Sequence, residues 1–109
     1  LSGVMDTFTA LSDPTRRHIV ESLALGESSF GDLADKFEMS RPAVSQHLKV
    51  LKDAGIVSSR AEAQRRIYSL SDTGLDELEA WLEKVRAFWN RRLDRLEELL
   101  GDAERGEEQ

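Results

Sequence analysis

Toward the C-terminus, apolar side chains recur at Leu75, Leu78, Leu82, Val85, Trp89, Leu93, Leu96 and Leu100, with gaps of 3, 4, 3, 4, 4, 3 and 4. That spacing lays them along one side of a long helix, a coiled-coil seam with one four-residue skip. In a chain of 109 residues the remaining helices are too short to cover such a seam, and leaving it in water would expose an unusually large apolar patch. The expected solution is a homodimer. Its two-fold interface is assigned to Leu75, Leu78, Trp81, Leu82, Val85, Phe88, Trp89, Leu93, Leu96 and Leu100, helped by Val4, Met5 and Phe8 from the first helix.

Upstream of the seam the chain reads as short helices. Val4, Met5, Phe8 and Leu11 recur at helical spacing, and this helix ends before Ser12-Asp13-Pro14. Asp13 is suited to the N-cap and Pro14 to the first position of a second helix, which turns Ile19, Val20 and Leu23 inward and stops at Gly26. Ser28 or Ser29 caps a short helix carrying Leu33, Ala34 and Phe37 on one face, Glu38-Met39 is a tight turn, and Ser40 caps a fourth helix with Pro42 in its first turn. Beyond Gly55 the pattern changes. Ile56–Ala61 and Arg66–Leu70 are short and rich in β-branched and aromatic residues, and they flank Glu62-Ala63-Gln64-Arg65 as a hairpin would. The long helix begins near Thr73, and the acidic, glycine-broken residues 101–109 are expected to fray as a tail behind a domain spanning 1–100. The expected fold is mainly α with a small β-hairpin wing: a winged helix-turn-helix of about five helices, dimeric through its N- and C-terminal helices.

The formal charge of −6 conceals a partition. Residues 1–40 carry a balance of −4 and residues 71–109 one of −6, whereas 41–66 hold Arg41, Lys49, Lys52, Arg60, Arg65 and Arg66 against Asp53 and Glu62. One cationic segment inside an acidic chain is the pattern of a polyanion-binding face on a body that otherwise repels polyanions. On the fourth helix, Val44, Leu48, Leu51 and Gly55 share one face, which leaves Pro42, Ser45, Gln46 and Lys49 opposite, with Arg41 and Lys52 at the edges. Glutamine bonds adenine N6 and N7 together, serine pairs with several base edges, and arginine and lysine take guanine or phosphate. Ser45 and Gln46 are therefore the expected base readers. Ser40, Arg41, Pro42, Lys49 and Lys52 complete the DNA-facing set around the helix, His47 stands at the border of the apolar face, and Arg60, Arg65 and Arg66 occupy the wing. The partner these residues imply is double-stranded DNA.

Other chemistries are poorly served. With no cysteine and only two histidines, His18 and His47, there is no thiolate ligand, no cysteine nucleophile and no Gly-rich phosphate loop, so neither catalysis nor a cofactor is expected. His18 lies beside the apolar stripe of the second helix and reads as a packed structural residue. The longest run without Asp, Glu, Lys or Arg is Pro42–Leu48, far short of the roughly 20 residues of a membrane span. No membrane partner is expected, and the cytoplasm is the expected location. The arginines Arg91, Arg92 and Arg95 read as ion-paired with neighbouring acids.

The runs Leu11-Ser12-Asp13-Pro14-Thr15-Arg16-Arg17-His18-Ile19-Val20 and Ser40-Arg41-Pro42-Ala43-Val44-Ser45-Gln46-His47-Leu48-Lys49-Val50-Leu51, closed by Gly55-Ile56-Val57, resemble the ArsR family of bacterial transcriptional repressors. That resemblance implies a homodimer that binds an imperfectly palindromic operator and blocks transcription until a signal releases it. Metal-sensing members place two cysteines where this chain has Ser29 and Gly31, and a second metal site uses histidines on the C-terminal helix, where residues 71–109 hold none. The C-terminal stretch with Trp81, Phe88 and Trp89 resembles the SdpR-like branch, which lacks the metal site, so metal-independent repression is implied, with an unidentified small-molecule effector left open. The competing reading is a winged-helix protein-interaction module that never binds DNA.

Overall fold

Side-chain caps set the helix starts in the computed structural model, which describes residues 3–107. Helix α1 spans Gly3–Leu11 and α2 spans Pro14–Ala24. Asp13 caps α2, its carboxylate accepting from the Arg16 N–H at 3.1 Å; that bond, ahead of the nearby His47 and Arg16 charges, holds the Asp13 carboxyl below the usual carboxylate range. Strand β1 (Ser28–Ser29) leads into α3 (Phe30–Ala34), capped by Ser29. Helix α4 (Arg41–Asp53) starts at Ser40, whose hydroxyl accepts from the Ala43 N–H at 3.2 Å, with proline in the first turn. It closes with Gly55 at φ +78°, the Gly55 N–H on the Lys52 carbonyl and the Ile56 N–H on that of Leu51, both at 3.0 Å. This double bond pattern is a Schellman ending, which favours glycine.

Strands β2 (Val57–Glu62) and β3 (Arg65–Leu70) form the expected hairpin, and α5 (Asp72–Glu107) follows. The sheet has three strands, not two: β1 pairs antiparallel with the free side of β3, Ser28 opposite Tyr68 and Ser29 opposite Ile67. The hairpin loop is also tighter than its sequence suggested. Glu62 pairs with Arg65, leaving Ala63-Gln64 as a two-residue turn in which Ala63 takes φ 57°. Glycine is the residue such turns favour at positive φ. Ala63→Gly is expected to stabilise the fold by about 1 kcal/mol, the relief of left-handed alanine less the added glycine entropy, read as a higher urea midpoint with an unchanged m-value.

The core joins Ile19 and Leu23 of α2, Leu33 and Ala34 of α3, Val44, Leu48 and Leu51 of α4, and Ile56, Val57 and Tyr68 around the sheet. Leu75, expected in the dimer seam, packs instead against this core from the first turn of α5. Such burial fixes α4 by one face and sets the opposite face outward. The chain forms two units, 1–78 and 79–109. The second unit is the remainder of α5, which runs on through Gly101 to Glu107; no proline interrupts it, and one glycine costs a helix only about 1 kcal/mol.

Candidate nucleic-acid interface

Val44, Leu48 and Leu51 are at most 1% exposed, so Ser40, Arg41, Pro42, Ser45, Gln46, Lys49 and Lys52 are left on the solvent side of α4. Between α4 and the wing opens a cleft of about 510 Å³, where Arg41 and Ser45 face Gln64, Arg65 and Arg66 of the turn and β3. The helix and the wing thus bring one serine and three guanidinium groups to a shared surface. Gln46, Lys49 and Lys52 are also exposed on α4.

The cations on this surface have partners within the protomer. Arg41 stands 3.6 Å from Asp35 and lies over the Phe30 ring at 5.9 Å. Lys49 pairs with Asp53 at 3.2 Å, one helical turn on, and Arg65 is 3.6 Å from Asp32. Lys52 and Arg66 both donate to the Ser59 hydroxyl, at 2.9 and 3.3 Å. All of these groups are solvent-exposed apart from half-buried Ser59 and Phe30, so the pairs are weak and exchangeable.

Two expected site residues are taken up elsewhere. Arg60 donates both guanidinium arms to Glu27 at 2.8 Å and a further bond to Glu62 at 3.2 Å. The Arg60 hydrogen bonds hold the Glu27 carboxyl below its ordinary range and push the guanidinium further up. Arg60 therefore clamps the start of β1 to β2 instead of reaching outward from the wing. His47, at the border of the apolar face, turns toward α2: its Nδ1 lies 3.3 Å from Arg16 Nη1 and 4.0 Å from the Asp13 carboxylate. Arg16 also donates to the Ala10 and Thr9 carbonyls at 2.6 and 3.3 Å, so one arginine ties the end of α1, the start of α2 and α4 together. Sequence reading missed Arg16, since two of its partners are backbone carbonyls, which leave no side-chain pattern, and the third, His47, is 31 residues away. His18, expected to pack, is exposed.

The family model of the bacterial regulatory proteins of the arsR family matches residues 13–59, which run from the α2 cap into β2. Over 91 residues the chain is 50% identical to the HTH-type transcriptional regulator Rv2034 of Mycobacterium tuberculosis, covering 84% of this chain and 82% of that protein. The chain belongs to the ArsR family. This ArsR-family regulator is also 40% identical over 77 residues to the transcriptional repressor SdpR of Bacillus subtilis, covering 71% of this chain and 86% of that one. Its fold matches the solution structure of a homodimeric winged helix-turn-helix DNA-binding domain, Mb0332 of Mycobacterium bovis, with a TM-score of 0.64 at 28% identity over 78% of this chain and 79% of that one.

Ser29 is buried and caps α3, and Gly31 stands in the first turn of that helix. Among the described residues no group of three or more His, Cys, Asp or Glu side chains is placed to hold a metal ion, and no helix is long and apolar enough to cross a membrane. On α5, Trp81, Leu82, Phe88, Trp89, Leu93, Leu96, Leu99 and Leu100 are between 40 and 59% exposed within the protomer, while Leu78 and Val85 are half-buried. Phe8 is half-buried on α1, and the side chains of Val4 and Met5 lie outside the described residues. The expectation that Arg91, Arg92 and Arg95 are ion-paired along the helix does not hold: none has a carboxylate partner among the described residues, and Arg92 lies over the Phe88 ring at 5.5 Å.

Proposed function

We propose that this ArsR-family regulator is a homodimeric repressor that binds a palindromic operator, with Ser45 and Gln46 reading bases and Arg41, Lys49, Lys52, Arg65 and Arg66 holding the phosphate backbone. The observation that carries the reading is the cleft that sets Arg41 and Ser45 of α4 opposite Arg65 and Arg66 of the wing. A helix of this kind lies in the major groove while the wing reaches the flanking backbone or minor groove. Two copies are needed to present two recognition helices about 34 Å apart, one turn of DNA. The exposed apolar side of α5 supplies the two-fold contact, and half-buried Phe8 of α1 is assigned to the same interface.

Selection of bound fragments from random duplexes gives the operator and tests the reading. Gln46→Ala is expected to relax preference at one base position in each half-site, at a cost of about 1–3 kcal/mol for the bidentate contact. Arg66→Ala is expected to weaken all sequences alike and to lower the slope of log affinity against log salt by about one. Unchanged affinity and preference in Gln46→Ala would overturn the assignment of the reading face. If the wild type shows no salt-dependent duplex binding, the protein-interaction reading replaces this one.

A further inference from the structure

Two hollows flank the contact between α4 and the wing: the cleft of about 510 Å³ and a smaller one of about 210 Å³ toward the end of the helix. Ser45, Arg66 and Tyr68 line both. Arg41 and Arg65 add two guanidinium groups to the first and Lys49 and Lys52 two ammonium groups to the second, and among the described residues no carboxylate lines either. In a chain with 21 acids against 15 bases, walls carrying five cations and no acid suit an anion. Tyr68 is 8% exposed, its ring 6.4 Å from that of Phe30. Pairing across the sheet sets it beside Ser59 of β2, and Arg66 precedes it by two residues, so the three side chains turn to one face. Among the described residues the Tyr68 hydroxyl has no hydrogen-bond partner, and no fully buried side-chain nitrogen or oxygen is left without one. The hydroxyl therefore keeps contact with solvent, and the two hollows are where it does so.

We propose that the Tyr68 hydroxyl donates to a backbone phosphate of the operator, the same phosphate that Arg66 holds. This rests on the reading above that α4 and the wing grip DNA, and it adds a contact residue on the floor of that grip. Tyrosine hydroxyls are among the neutral donors that fix a protein's register on the DNA backbone without reading sequence. The Tyr68 hydroxyl has only water to give up, whereas Arg66 leaves the Ser59 hydroxyl. Its ring is already held by packing, so little side-chain entropy is lost on binding. A base edge, being neutral, would gain little from the surrounding cations, while a phosphate gains from each. A free phosphorylated molecule offers the same group, and the test separates the two sources.

Tyr68→Phe removes the hydroxyl and keeps the ring. Its urea midpoint is expected to match the wild type, because no bond within the protein is lost, while affinity for the operator and for a random duplex falls alike, by about tenfold. The slope of log affinity against log salt is expected to stay as it is, because a neutral donor displaces no cation. A core role alone would lower the urea midpoint, and a base-reading role would spare the random duplex. Tyr68 is the single tyrosine of the chain, so protein labelled with 3-fluorotyrosine gives one fluorine resonance, which is expected to shift when duplex is added. Inorganic phosphate, titrated against sodium chloride of equal ionic strength, tests the other source: a shift with phosphate and none with bound duplex reassigns the seat to a free phosphorylated molecule. Full duplex affinity in Tyr68→Phe, or a loss confined to the operator, overturns the proposal. A wild type that binds no duplex refutes the DNA reading itself, and a resonance that phosphate also leaves unmoved then removes the seat as well.

Discussion

Trp89→Glu is expected to yield a mostly helical protein that runs as a monomer and loses at least about a hundredfold of its specific operator affinity. Trp89 is 55% exposed in the protomer and stands edge-on to Phe88 at a centroid distance of 5.9 Å, in the middle of the apolar run from Trp81 to Leu100. Half exposed, it contributes little to the stability of the protomer, so a glutamate there is tolerated while the chain is alone. Within a dimer the same carboxylate would be buried without a partner, at a cost of several kcal/mol. Losing the second recognition helix removes the gain in effective concentration that a linked pair of sites provides, commonly 10² to 10⁴. Leu96→Glu, further along the same side, is expected to behave alike. Sedimentation and DNA titration of one sample decide the matter; a variant that stays dimeric with full affinity places the interface elsewhere.

Gly74→Ala is expected to destabilise the winged domain by about 2–3 kcal/mol, the sum of a small overpacking cost and a disturbed backbone hydrogen bond. Gly74 sits in the first turn of α5, where its N–H donates to the Gly55 carbonyl at 2.9 Å; just before it, the Ser71 N–H donates to the Ile56 carbonyl at 2.7 Å. A methyl group on Gly74 would lie 2.8 Å from the Gly55 oxygen and 3.1 Å from that of Ala54. The obstacle is backbone, and Gly55 is already fixed at φ +78° by the end of α4, so neither side yields cheaply. Because the contact latches the start of α5 to the end of the recognition helix, DNA affinity is expected to fall along with the urea midpoint. Gly31→Ala serves as the control, since a methyl group there meets nothing within 4 Å.

Much of this architecture was legible because it is encoded locally. Asp13-Pro14 and Ser40 with Pro42 announce helix starts within four residues, and Gly55 announces a stop; the burial of Val44, Leu48 and Leu51 follows from their spacing alone. What escaped depends on partners distant in sequence. Ser28-Ser29 has no strand pattern, being two residues long, and becomes β1 only because β3 offers an unpaired edge. Arg60 looked like a wing contact until Glu27, 33 residues earlier, was found to hold it. His47 stood on the border between two faces, and its direction was decided by Arg16, 31 residues away. Leu75 fits the heptad spacing of the seam as well as its neighbours do, yet lies near enough to the body of the domain to be absorbed by it.

The carboxylates beside Arg41, Lys49 and Arg65 bear on the ion stoichiometry of DNA binding. When one of these side chains leaves Asp35, Asp53 or Asp32 for a phosphate, the DNA sheds most of one condensed cation, but the abandoned aspartate draws a cation from solution. The exchange is then nearly neutral in bulk ions. Lys52 and Arg66 leave only the uncharged Ser59 hydroxyl, and their contacts release cations without that recapture. The salt dependence of the complex should therefore count the cations resting on a hydroxyl more fully than those resting on an acid, and fall short of the number of phosphate contacts a bound structure would display. At raised ionic strength such a protein keeps hold of its operator better than its basic residues alone would suggest.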